Sequence, residues 1–189
     1  RFSNWAHESV TLKFYSLEKL LVENNLHANG SVANELKSDV RRFTVRADTY
    51  SNLTVTAIGG NMHGLDGGQT TGGEILFNKV ILAGSRMALD LNQDAQATRI
   101  DVYRNTFIGR VQVRNTDSTD GPFNFFNNVI VNDDAGTPNG SHIYHSNVTA
   151  PSRIVRTNNL VGYRSGGIVD ANGDLSSVTT TSGMAWKIP

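Results

Sequence analysis

The sequence predicts an all-β solenoid, a single domain in which short strands wind into successive rungs over most of the 189 residues. Three observations predict it. One phrase recurs along the chain: apolar, any residue, apolar, two residues, Asn, any residue, apolar. The segments around it alternate apolar and polar with period two, and Val, Ile, Thr, Phe and Tyr dominate them, as strands require. The connections are rich in Gly, Asn, Asp, Ser and Thr, as in "GGNMHGLDGGQTTGG" and "DDAGTPNGS".

The phrases follow in chain order. "VTLKF" alternates as a first strand. "LLVENNLH" supplies Leu20, Val22 and Asn25, with His27 in the last apolar slot as a satisfied interior or turn residue. The overlapping "SLEKLLVENN" also has helical spacing, but it fits the Asn phrase and follows an alternating strand, so it is read as strand. "RFTVRA" and "NLTVTAI" alternate without a marker Asn. "ILFNKVILAG" gives Ile75, Asn78 and Val80, and "IDVYRNTF" gives Ile100, Val102, Asn105 and Phe107. "FNFFNNVI" gives Phe123, Phe125, Asn128 and Ile130, and "IVRTNNLVG" gives Val155, Asn158 and Leu160. The markers at 78, 105, 128 and 158 lie 27, 23 and 30 residues apart. Repeats of this period make solenoids or arrays. The rungs are expected over about 10–169, and a less regular tail over 170–189.

Composition narrows the class. Charged residues are 18% of the chain, against about 25% in typical domains. Basic and acidic residues number 17 each, for zero formal net charge. A general nucleic-acid binder would carry a basic excess. There is no cysteine, which excludes disulfides, thiolate metal sites and a cysteine nucleophile. No apolar run approaches the roughly 20 residues of a membrane-spanning helix.

A stack of strands with an Asn at a fixed turn resembles the right-handed parallel β-helix of the pectin-lyase-like superfamily. The likeness rests on the phrases around Asn25, Asn78, Asn105, Asn128 and Asn158 and extends from about Val10 to Val169. Rungs about 4.8 Å apart stack like residues on one another. A turn Asn tolerates the left-handed conformation and passes amide hydrogen bonds along the stack. The alternative is a β-sandwich, for which the Asn-Gly pairs at 29–30, 139–140 and 172–173 are hairpin signals. Neither end shows an amphipathic capping helix. The chain is therefore expected to be a fragment, or to have its ends covered by further chain or by self-association.

The resemblance implies a polysaccharide ligand and a secreted or cell-surface protein. It also implies a site on one outer sheet face, with lyase or glycoside hydrolase chemistry on an acidic polysaccharide. A non-catalytic structural or adhesive β-helix is the alternative. Aligning rungs proposes a band of His63, Asp66, Arg86, Asp90, Arg110 and Arg114, with Ala88 and Gln112 between its charges. Arginine forks bind carboxylates, an eliminating enzyme needs a base and a proton donor, and a hydrolase needs two carboxylates. The competing reading is cross-strand ion pairing on a wet face. No catalytic residue of a known pectinolytic enzyme maps onto a position here. "DANGD" sets Asp170, Asn172 and Asp174 at alternate positions, a spacing that suits Ca²⁺. "DLNQD" repeats that spacing with Asp90, Asn92 and Asp94. Asx turns are the ordinary alternative for both.

Overall fold

A computed structural model describes residues 2–3, 6–8, 12–14, 17–36, 40–54, 56–61, 72–82, 86–92, 99–116, 120–132, 143–163 and 175–176. The strands come in threes. The first rung is Phe2–Ser3 (β1), Ala6–Glu8 (β2) and Leu12–Phe14 (β3). The second is Lys19–Glu23 (β4), Leu26–Ala28 (β5) and Val32–Leu36 (β6). Then follow Arg42–Arg46 (β7), Thr49–Ser51 (β8) and Thr56–Asn61 (β9), and Gly72–Leu76 (β10), Lys79–Ile81 (β11) and Met87–Asn92 (β12). The next two are Arg99–Tyr103 (β13), Thr106–Ile108 (β14) and Arg110–Thr116 (β15), and Phe123–Phe126 (β16), Val129–Asn132 (β17) and Ile143–Val148 (β18). Ile154–Thr157 (β19), Leu160–Tyr163 (β20) and Leu175–Ser176 (β21) follow, with a 3-10 turn at Pro151–Arg153.

Every third strand joins one sheet. Sheet A runs β1-β4-β7-β10-β13-β16-β19, sheet B runs β2-β5-β8-β11-β14-β17-β20-β21, and sheet C runs β3-β6-β9-β12-β15-β18. All the pairings are parallel. The fold is a parallel β-solenoid, and a hairpin-built sandwich is excluded. "KLLVE" is strand β4, not helix. Asn29, of the first Asn-Gly pair, is a left-handed residue at a rung corner (φ 58°). The other two Asn-Gly pairs lie outside the described residues.

The alternation produces the core. In sheet A, Leu20, Phe43, Ile100, Phe123 and Ile154 form one inward column, and Val22, Val45, Ile75, Val102 and Phe125 form the next. Sheet B adds His27, Tyr50, Val80, Phe107, Ile130 and Val161. Gly73 breaks the first column because Phe43 fills its place. A Cβ on Gly73 would fall 2.2 Å from the Phe43 ring.

Between sheets A and B every rung from the second onward turns on two residues: Asn24–Asn25, Ala47–Asp48, Phe77–Asn78, Arg104–Asn105, Asn127–Asn128 and Asn158–Asn159. The first of each pair is left-handed, with φ of 57°, 54°, 56°, 57°, 56° and 54° in that order. The second is buried and belongs to a side-chain ladder. Asn105 shows the unit: its backbone N–H and its Nδ2 both donate to Asn128 Oδ1, each at 3.0 Å. Its Nδ2 also donates to the Ile75 carbonyl at 2.8 Å. Asn78 does the same toward Asn105, at 2.9 and 3.0 Å, and donates to the Val45 carbonyl.

Three expectations are corrected here. The left-handed residue is the one before the ladder Asn, not the Asn itself. The last ladder residue is Asn159, since Asn128 donates to its Oδ1 from N and Nδ2 at 3.0 and 2.8 Å. That rung is shifted by one residue, so Ile154 and Val161 are buried while Val155 is 43% exposed. Asp48 is also a ladder member: it accepts from Asn25 N and Nδ2 at 2.7 and 3.0 Å, and its N–H donates to Asn78 Oδ1.

A carboxylate cannot donate along the ladder, and its own rung and the preceding one compensate. The Tyr50 hydroxyl donates to Asp48 Oδ2 at 3.0 Å, and Asn34 Nδ2 donates to that hydroxyl at 2.5 Å. His27 stacks on the Tyr50 ring at 4.5 Å, with its Nε2 3.7 Å from Asp48 Oδ2. Burial first, then the Asp48 charge and its hydrogen bond, raise the Tyr50 pKa well above 10.0, against a smaller lowering effect of Asn34. The sign follows. Below pH 10 the phenol is neutral in both states. Above it the unfolded chain ionises while the folded chain holds its proton, so stability falls as pH rises. Tyr50→Phe is expected to flatten this alkaline loss, read from urea unfolding midpoints across a pH series. An equally steep loss in the variant would contradict it.

Candidate functional site

The outer face of sheet A carries three columns set by strand register. The first is Lys19, Arg42, Gly72 and Arg99. The second is Leu21, Thr44, Glu74, Asp101 and Asn124, and the third is Glu23, Arg46, Leu76, Tyr103 and Phe126. A cleft of about 670 Å³ opens on this face, and Lys19, Arg42, Thr44, Glu74, Leu76 and Tyr103 are among its lining.

Most charges on the face are already partnered. Arg46 Nε and Nη2 donate to Glu23 Oε2 at 2.9 and 2.6 Å. Arg99 Nε donates to both Asp101 oxygens at 2.9 Å, and Asn124 Nδ2 donates to Asp101 Oδ1 at 2.7 Å. The Tyr103 hydroxyl donates to Glu74 Oε1 at 3.3 Å, and its ring stacks on Phe126 at 4.8 Å. Burial, then the Glu74 charge and hydrogen bond and the Asp101 charge, raise the Tyr103 pKa, while Arg104 lowers it. Tyr103 is therefore a proton-bearing donor on this face.

Lys19 and Arg42 differ. They are register neighbours, both exposed, and among the described residues no carboxylate pairs with either. Like charges side by side on adjacent strands repel. The next position in their column is Gly72 (φ 154°), which places no side chain beside Arg42. Two cations and a gap thus sit at one end of a cleft whose opposite wall is Glu74 and Tyr103. The arrangement can receive an anionic group over Lys19 and Arg42 while hydroxyls meet Thr44, Glu74 and Tyr103.

Of the band expected from rung alignment, Asp90, Arg110 and Arg114 lie on sheet C. His63 and Asp66 are outside the described residues. Arg86, Asp90, Arg110 and Arg114 are placed, but the rungs align differently from expectation. Met87, not Arg86, stands opposite Arg110, and after a register shift between Met87 and Leu89, Asp90 stands opposite Gln112. Ala88, expected on the outer face, is fully buried. Arg86 is exposed, and its carbonyl accepts from the Arg110 N–H at 2.8 Å.

Asp90 and Arg114 do come together. Arg114 Nε and Nη2 donate to Asp90 Oδ1 and Oδ2 at 3.0 and 2.8 Å, a two-pronged pair, and Gln112 Nε2 adds a bond to Oδ1 at 2.8 Å. The Asp90 hydrogen bond and charge raise the Arg114 pKa against burial. On the other side of Asp90 the register position is Gly59, where a Cβ would lie 2.8 Å from the Asp90 carbonyl oxygen. This pair has the geometry of a structural clamp.

For calcium, Asp170, Asn172 and Asp174 fall outside the described residues. Asp90 and Asn92 of "DLNQD" lie within strand β12, not in a loop. Among the described residues, no three His, Asp or Glu side chains converge as a metal site, and no helix is long and apolar enough to cross a membrane.

The cleft residues were not legible as a group in the sequence. They come from strands on four successive rungs, and only the shared A–B corner fixes their alignment. No protein-family profile, curated protein or solved structure matches the chain.

Proposed function

We propose that this solenoid binds an acidic polysaccharide along the outer face of sheet A. The observation that carries the reading is the Lys19–Arg42 pair beside Gly72, at the end of a cleft lined with hydroxyl and carboxylate groups. A guanidinium and an ammonium in register suit the carboxylates or sulfates of a charged glycan. Thr44, Glu74 and Tyr103 supply the hydrogen bonds that sugar hydroxyls use, and Tyr103 adds an aromatic surface. The likeness of the Asn-marked rungs to the pectin-lyase-like superfamily supports the same class of ligand and a secreted or cell-surface setting.

Binding is favoured over cleavage because the best-formed carboxylate sites are already occupied. Asp101 is held by Arg99 and Asn124, and Asp90 by Arg114 and Gln112. Elimination or hydrolysis on this face would fall to Glu74 with Tyr103 as the proton donor.

The test is affinity electrophoresis in gels containing polygalacturonate, a sulfated glycan or a neutral glucan. The chain is expected to be retarded by an acidic polymer, less so as salt rises, because the contacts are exposed ionic ones. Lys19→Ala with Arg42→Ala is expected to weaken retention about tenfold, corresponding to about 1.4 kcal/mol. Retention equal to that of the parent chain would defeat the proposal. Products read as unsaturated uronates or new reducing ends would add catalysis to binding.

A further inference from the structure

The left-handed row at the A–B corner holds one residue that does not suit it. Asn occupies it at 24, 127 and 158, and Asn accepts φ near +55° through its short polar side chain. Ala47 and Arg104 are tolerable there. Phe77 is a bulky aromatic at φ 56°, and it is 51% exposed. Backbone strain and an exposed aromatic thus coincide in one residue, and strain held at a ligand site is a recurrent pattern.

Its neighbours sharpen the point. On one side the Arg104 guanidinium lies over the Phe77 ring, 5.5 Å from its centre. Among the described residues no carboxylate pairs with Arg104. On the other side the row position is Ala47, a single methyl, so the row steps down next to the ring. That step adjoins the cleft, because Arg46 and Leu76, the residues just before Ala47 and Phe77, both line it.

We infer that Phe77 is the stacking platform of a sugar subsite at the rim of the cleft. One pyranose ring lies over Ala47 with its C–H face against the aromatic ring, whose other side carries the Arg104 guanidinium. The inference rests on the glycan-binding reading of the sheet A face and names a residue that reading does not need. A ring with an apolar face and a charged edge matches an aromatic beside a cation.

The test is Phe77→Asn, which installs the residue that three other rungs use. The variant is expected to unfold at a higher temperature than the parent and to bind polygalacturonate oligomers five- to tenfold more weakly. A gain in stability with a loss of affinity is a signature that a structural role would not give. Phe77→Trp is expected to retain affinity. Unchanged binding by Phe77→Asn, while Lys19→Ala with Arg42→Ala loses it, would overturn the subsite and leave the cleft standing. If a neutral glucan is retained, and Phe77→Asn alone abolishes this, the platform stands and the acidic reading falls. If the parent chain binds none of these glycans, both fall.

Discussion

Asn105→Ala is expected to be the most damaging single truncation among the polar residues, lowering the unfolding free energy by about 3 kcal/mol. The backbone N–H of Asn78 loses its acceptor inside the wall, and Asn78 Nδ2 keeps only the Val45 carbonyl. Asn128 Oδ1 and the Ile75 carbonyl each lose a donor. A buried donor left without a partner costs about 1–3 kcal/mol, and the weakened neighbours add to it. Asn105→Asp is expected to be at least as harmful. It keeps an acceptor for Asn78 but turns carboxylate oxygen toward Asn128 Oδ1 and the Ile75 carbonyl. Asp48→Asn should be far milder, since an amide there resumes the pattern of the rungs around it. Urea unfolding of the three variants checks this. Equal losses at 48 and 105 would show that Asp48 is not a substitute within a ladder of amides.

Arg114→Ala is expected to cost about 2–3 kcal/mol, below the 3–5 kcal/mol of fully buried pairs because Arg114 is 37% exposed. The loss comes from Asp90, which is nearly buried and would keep only the Gln112 amide. Adding Asp90→Asn to Arg114→Ala should recover much of the stability by removing the stranded charge. Thermal unfolding of the single and double variants gives the comparison. A double variant no more stable than Arg114→Ala would mean that packing of the arginine stem, not the charge, dominates. Glycan binding should be unchanged throughout, because this pair sits on sheet C and the cleft on sheet A.

The rungs were readable where the phrase was unambiguous. Around Asn25, Asn78, Asn105 and Asn128 the apolar slots are the buried ones, including His27. The reading slipped at "TNNL", where two adjacent asparagines compete for one slot. At Asn24–Asn25 and Asn127–Asn128 the second is the ladder residue, and Asn158–Asn159 follows the same rule. Asp48 does not show as a ladder residue in the sequence because it is not an amide, although Phe43, Val45 and Tyr50 fit the apolar slots around it. The site was less readable. The repeat ranges from 23 to 31 residues, so positions on different rungs cannot be matched by counting. The bulge at Met87/Leu89 shifted the sheet C alignment as well. An outward Arg looks alike in a sequence whether it is paired or open: Arg99 is held by Asp101 two residues along its own strand, while among the described residues no carboxylate pairs with Arg42.

The two-residue corner between sheets A and B has a consequence for how such a chain tolerates change. Elsewhere the distance along the chain between strands varies: ten residues separate β9 from β10, whereas Gly109 alone separates β14 from β15. In every described rung from the second onward the A–B corner keeps the same two-residue length, because its second residue must meet the ladder residues above and below. It works as a phase lock. Extra residues at the other corners are discharged before the next corner is reached, so every later rung restarts in step. One residue added within an A–B pair would instead turn each following strand of that rung inside out. Grafted loops therefore belong on the other two corners, and the A–B edge is the fixed scale along which they can be spaced.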